Sequence, residues 1–247
     1  MNPIYMLWLR QLKRYFRSKS RIVGSIAQPL LFLVVFGLGF GPIFQQAGQG
    51  SYIQFLAPGI IAMSILFTSI FTGIEVIWDR QFGFLKETMV APISRYEIML
   101  GRTLGGATIA LFQGAIVFVI AMFIGFSPSL ALLPVAFAFA LLIALFFTAL
   151  GTAIASLLND MQGFQLIMNF LVMPIFFLSG ALFPLSGLPP VVFIISSLDP
   201  LSYGVDGLRG ALGASTQFGL LPDFAILGVL TIAILGVGSY LFSKMQA

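Results

Sequence analysis

Charged residues fall in short clusters along this chain, and long stretches between the clusters carry no charge at all. A helix needs roughly 20 apolar residues to cross the hydrocarbon of a membrane. The first charge-free stretch, from Arg21 to Glu75, holds two such lengths. The polar, glycine-rich turn Gln45-Gln46-Ala47-Gly48-Gln49-Gly50-Ser51 divides it. The second stretch, from Arg102 to Asp160, is divided at Phe126-Ser127-Pro128-Ser129. Two more, Asp160 to Asp199 and Asp223 to Lys244, hold one span each. The pattern predicts six spans, near Ile22–Phe44, Ile53–Trp78, Thr103–Phe126, Leu130–Leu158, Phe164–Phe183 and Phe224–Phe242.

Composition agrees with lipid as the solvent. The chain is 59% hydrophobic and 8% charged, with a mean hydropathy of +1.06. Soluble domains carry about 25% charged residues, so this chain cannot cover an apolar interior of that size with a polar surface. The expectation is a single all-α polytopic membrane domain over residues 1–247.

Orientation follows from the basic residues, which concentrate on the cytoplasmic side of membrane proteins. The amino terminus, the segment from Trp78 to Arg102, the Asn159-Asp160 turn and the carboxyl terminus together hold Arg10, Lys13, Arg14, Arg17, Lys19, Arg21, Arg80, Lys86, Arg95, Arg102 and Lys244. The opposite set holds only Arg209. Both termini are therefore expected in the cytoplasm, as an even number of spans requires. The apolar run after the basic start is too long for a cleaved signal and lacks a small-residue cleavage site, so removal is not expected.

Three segments outside the spans stand out. Residues 1–21 predict an amphipathic helix with Ile4, Tyr5, Trp8, Leu12, Tyr15 and Phe16 on one arc and Arg10, Lys13, Arg14, Arg17 and Arg21 on the other. Such a helix suits the headgroup layer, with its aromatic face in lipid and its basic face toward anionic phosphates. Residues 79–97 form a charged cytoplasmic loop with room for about two helical turns between Gly83 and Pro92. A helix that short needs a partner surface. Ser94-x-x-Glu97 then has capping-box spacing and should start the third span. Residues 184–212 face outward yet are apolar at Val191-Val192-Phe193-Ile194-Ile195, with Pro189, Pro190 and Pro200 breaking them into pieces. Two short helices re-entering the outer leaflet fit this better than a free loop, since unpaired backbone cannot face lipid.

Asp206 and Arg209, three residues apart, are placed to pair on one helical face. Glu75 is the one carboxylate inside a predicted span, with Arg80 in reach as its partner. Gly101-x-x-x-Gly105 and Gly151-x-x-x-Ala155 have the spacing of helix-packing or dimer contacts.

Several chemistries are excluded. With no cysteine and no histidine, the chain has no thiolate metal site, no disulfide framework and no imidazole base. It carries no G-x-x-x-x-G-K-[ST] phosphate loop, no H-E-x-x-H and no chain of acids to relay protons across the midplane. The expectation is a chain that is not itself an enzyme and binds no cofactor or nucleic acid. If such a chain moves solutes, it needs an outside source of energy.

Three motifs on this frame resemble the permease subunits of type-2 ABC exporters, and most closely the drug-export-like members. They are Asp79-Arg80-Gln81-Phe82-Gly83-Phe84-Leu85-Lys86-Glu87 followed by Ala91-Pro92-Ile93-Ser94-Arg95, then Phe177-Leu178-Ser179-Gly180-Ala181-Leu182-Phe183-Pro184 with Leu188-Pro189, and Asp199-Pro200-Leu201-Ser202-Tyr203-Gly204-Val205-Asp206-Gly207-Leu208-Arg209. Gln81 departs from the family pattern, where many relatives carry a second acid.

The resemblance implies a coupling helix that docks on a separate nucleotide-binding ATPase, through Phe84, Leu85, Glu87, Thr88, Met89, Ala91, Pro92 and Arg95. It implies that the amino-terminal helix, with Trp8, Arg10, Arg14 and Arg17, lies beside that ATPase at the inner surface. It implies an outer gate at Pro184, Leu188, Pro189, Pro200, Tyr203, Asp206 and Arg209. Two permeases, alike or different, and two ATPases would form the unit in the cell membrane, with ATP and Mg on the partners. The cargo would be lipophilic or amphipathic: a drug, a lipid or a lipid-linked glycan. The rivals are a secondary transporter or channel without an ATPase, which should show charged or broken-helix sites at the midplane of both halves, and a membrane enzyme or assembly factor.

Overall fold

The computed structural model describes residues 2–46, 51–84, 88, 90 and 93–244. Ten helices are described, with no strand among the described residues. Helix α1 (Pro3–Arg17) opens on Asn2, whose side chain accepts from the Ile4 amide, and Pro3 fills the first helical position where no N–H is needed. A break at Ser18 separates it from α2 (Lys19–Gln46). Helices α3 (Tyr52–Thr72) and α4 (Ile74–Gln81) meet at Gly73, which keeps helical dihedrals, so the pair crosses as one element. It ends where Gly83 adopts a φ of +79°, a left-handed conformation that glycine reaches without strain.

Helix α5 (Arg95–Phe123) starts at the capping box that its sequence spacing predicts. The Ser94 hydroxyl accepts from the Glu97 amide at 3.2 Å, and the Glu97 carboxylate accepts from the Ser94 amide at 2.8 Å. The helix therefore begins about two turns before the predicted span edge at Thr103. Helices α6 (Leu133–Leu157) and α7 (Met161–Leu178) follow, the second capped by Asp160, which accepts from Gly163 N at 2.6 Å. The predicted fifth span reaches Phe183, but the helix stops at Leu178 because Gly180 turns to a φ of +73°. Helices α8 (Pro190–Leu198) and α9 (Pro200–Ala211) are bent by 88° to each other, and α10 (Leu220–Ser243) closes the fold.

Six helical elements are long and apolar enough to cross a membrane. The α8–α9 pair could count as a seventh only by its summed length, and an 88° bend precludes a straight crossing. Helix α3, with α4, sits at the centre: 78% of its apolar window is buried, against 17%, 22% and 17% for α2, α7 and α10. Small residues permit that close packing. A Cβ on Gly151 of α6 would collide with the Ile70 backbone of α3, and one on Gly59 would collide with the Ala181 backbone after α7. Gly101 and Gly105 of α5 instead admit Ile4, Leu7 and Gln11 of α1. Both small-residue spacings thus serve contacts within the chain.

Candidate functional site

At the end of the bundle that carries α1, Glu75 and Asp79 lie one turn apart on α4 and are 2% and 3% exposed. Two carboxylates buried that deeply need cations, and four arginines from three helices supply them. Asp79 accepts from Arg10 at 3.0 Å and Arg14 at 3.3 Å, both on α1. Its other oxygen takes the guanidinium of Arg102 on α5, which is equally buried. Glu75 accepts from Arg21 on α2 at 2.6 Å, with Arg14 at 3.9 Å. Stacked on this network, Arg10 lies 5.7 Å from the Phe84 ring and Arg14 lies 5.8 Å from Trp78.

Arg80 therefore does not partner Glu75, as the sequence suggests. It donates to the carbonyls of Ser156 at 3.2 Å and Leu158 at 3.0 Å, and to Asn159 Oδ1 at 2.6 Å. Five residues along a helix turn a side chain about 140° away from its start. Arg80 consequently faces the α6–α7 turn, and Glu75 faces α1 and α2. The end of α4 is thus tied to α1, α2, α5 and the α6–α7 turn.

Helix α1 also departs from expectation. It runs alongside the first half of α5, in the same direction, and its aromatic arc is divided. Trp8 donates its indole N–H to Thr108 at 3.0 Å, and Tyr15, 2% exposed, donates its hydroxyl to Gln113 at 2.8 Å. Burial pushes the Tyr15 phenol above its ordinary pKa, so it stays protonated as a donor. Tyr5 and Phe16 remain exposed on the outer flank. The basic arc divides likewise: Arg10 and Arg14 turn to the acids, while Lys13 and Arg17 are exposed. The physical reason is the pair Gly101 and Gly105, which lets α1 approach α5 closely, together with two buried acids that demand counter-charges.

After α4, Phe84 reaches this network through Arg10. Phe84 and Val90 are exposed, and Thr88 donates its hydroxyl to the Phe84 carbonyl at 3.0 Å. Arg95 is the first residue of α5. Leu85, Glu87, Met89, Ala91 and Pro92 lie outside the described residues.

At the opposite end, α8 and α9 each begin with a proline, Pro190 and Pro200, and Pro189 caps the first. Asp199 accepts from Leu201 N at 2.9 Å, and Tyr203 donates to the Ser197 carbonyl at 2.6 Å, which fixes the corner. Pro184 and Leu188 lie in the connection from α7, where Leu188 N donates to Leu185 O at 3.4 Å. Asp206 and Arg209 do not pair with each other. Asp206 accepts from the amides of Gln217 and Phe218, and Arg209 donates to the Gly180 carbonyl at 2.9 Å and lies 3.9 Å from the Phe55 ring. Turning backbone at 180 and 217–218 offered each charge a closer partner than the other.

A family model described as ABC-2 type transporter matches residues 2–212. Nodulation protein J of Rhizobium leguminosarum bv. trifolii is 32% identical over 192 residues, which cover 77% of this chain and 73% of the relative. The protein ycf38 of Cyanophora paradoxa, named as a candidate transport permease, is 30% identical over 217 residues, 85% of this chain and 73% of its own. The inner membrane transport permease YadH of Escherichia coli K12 is 27% identical over 234 residues, 92% of this chain and 89% of its own. With six apolar helices of spanning length and a family match over most of its length, the chain belongs to the ABC-2 type transporter family and is a multi-pass membrane transport permease.

Proposed function

We propose that this chain is the non-catalytic membrane subunit of an ATP-driven exporter, working as a pair of permeases on two separate ATPase subunits that bind ATP and Mg. The observation that carries the reading is the arginine network around Glu75 and Asp79. It ties α4, which leads into the segment 82–94, to α1, α2 and α5 at once, so a push passed to α4 moves a set of helices. Phe84, Leu85, Glu87, Thr88, Met89, Ala91, Pro92 and Arg95 form the docking surface in this reading, with Trp8, Arg10, Arg14 and Arg17 of α1 flanking it. In this reading nucleotide binding belongs to the partner, and the lack of a phosphate loop in the chain is in keeping with that.

The end carrying α1, the loop and the basic residues faces the cytoplasm, as the positive-inside bias favours. Both termini then lie on the cytoplasmic side of the cell membrane. The 88° pair, α8 and α9, dips into the outer leaflet and closes the outer end of the pathway, with Pro184, Leu188, Pro189, Pro200, Tyr203, Asp206 and Arg209 holding its shape. The pathway runs between the two permeases, where the poorly buried, apolar faces of α2, α7 and α10 favour a lipophilic or amphipathic cargo. ATP binding between the ATPases rocks the permeases between two states.

Proteoliposomes holding the permease and its ATPase test this. Lipophilic and amphipathic compounds should stimulate ATP hydrolysis, and transport should stop without ATP. Movement driven by an ion gradient, with no ATPase present, would instead establish a secondary transporter.

A further inference from the structure

A polar pocket of about 300 Å³ opens at the outer end of the bundle, between the start of α3, the turn after α7, and α9. The exposed Ser51, Ser186, Ser215 and Thr216 line its walls, and Phe44 and Phe55 supply apolar faces. Arg209 lines it too and is only 7% exposed. Its single hydrogen bond among the described residues, to the Gly180 carbonyl, leaves most of the guanidinium's donors unused, and the buried Nε has no partner there. No carboxylate lies within 4.0 Å of it among the described residues. Asp206 shares the wall, but its oxygens already accept from the amides of Gln217 and Phe218 at 2.8 to 2.9 Å. Ser202 Oγ is also buried without a partner.

A buried guanidinium with no carboxylate in contact is costly, and so is each buried donor left unpaired. Both costs fall if an oxyanion enters. The space is many times the ~15 Å³ that one water requires, so it admits a headgroup. We propose that this pocket binds the oxyanion, phosphate or carboxylate, of a small headgroup, with Arg209 as the charged partner and the exposed Thr216 as a hydrogen-bond donor. The apolar side of the pocket, at Phe44, Phe55 and Leu185, suits a headgroup that arrives attached to an alkyl tail. The site belongs to the permease alone, so it stands or falls apart from the coupling to an ATPase.

Native mass spectrometry on the purified full chain tests this with three probes: phosphatidylglycerol, a diacylglycerol of the same chains, and inorganic phosphate. Phosphatidylglycerol should bind at least about tenfold more tightly than diacylglycerol, the size expected of one charge-assisted hydrogen bond. Arg209→Gln should remove that margin and Arg209→Lys should keep part of it. Ser215→Trp, at an exposed position on the pocket mouth, should block entry while leaving Arg209 and its neighbours in place. Should Arg209→Gln fail to fold, Ser215→Trp decides alone. Displacement of the lipid by millimolar inorganic phosphate supports a site for the bare oxyanion; resistance to it supports a lipid headgroup. Equal binding of phosphatidylglycerol and diacylglycerol, or wild-type binding by folded Arg209→Gln and Ser215→Trp, overturns the proposal.

Discussion

Asp79 accepts from three arginines that come from two helices, and its burial makes the arrangement consequential. A buried ion pair adds little net stability against an apolar pair of the same shape, but removing one partner strands the other charge. Asp79→Ala should therefore destabilise the permease by about 3–5 kcal/mol, with Arg102 left buried and unpaired. Adding Arg102→Met should restore much of the loss, and unfolding of both variants in detergent measures it. If the double variant is less stable than Asp79→Ala, the stranded-charge account fails. At this scale the sequence was legible in kind and not in partner. Glu75 invited a nearby cation, yet Arg80 lies on another side of the same helix and the true partners come from α1 and α2. The one available signal was reciprocal spacing: acids at 75 and 79 and arginines at 10 and 14, each pair one turn apart. Asp206 and Arg209 show the same limit, because turning backbone outcompeted the charge three residues away.

Helix α1 was legible as a helix with segregated faces, but its surroundings were not. Amphipathicity states that two faces differ; it does not state whether lipid or protein meets the apolar one. Glycines 101 and 105, far along the sequence, decide that for Gln11, which is 7% exposed against α5. A cysteine replacing Gln11 should resist a water-soluble maleimide, while one replacing Lys13 should label readily. Equal labelling would return α1 to a free position on the membrane surface. Helix ends show which local signals carry: the capping box at Ser94 was legible, while the stop at Gly180 was hidden within an apolar run. The contact of α3 with α6 is tight enough that one methyl matters. Gly151→Ala, forced against the Ile70 backbone, should cost about 1–3 kcal/mol of stability. Gly228→Ala on α10, with nothing within 4 Å, should leave stability unchanged or raise it. Equal effects at the two sites would mean that α3 and α6 are free to part.

For the whole molecule, the six spans were legible because charges are excluded from hydrocarbon, so their absence marks the crossings. The central place of α3 was not legible, since all six spans have similar hydropathy, between 1.6 and 2.5, and only packing separates buried from exposed. The proposed orientation has its own check. A cysteine replacing Gln49 should be labelled by an impermeant reagent from outside intact cells, and labelling only after permeabilisation would invert the topology. The central claim is that this permease is driven by a separate ATPase docked on the segment between α4 and α5. Co-purification of the partner ATPase with wild type, Glu87→Arg and Met89→Asp permeases, matched for membrane insertion, tests it most directly. The account predicts that wild type retains the ATPase and that both variants lose it. Retention of the ATPase at unchanged yield by either inserted variant would contradict it.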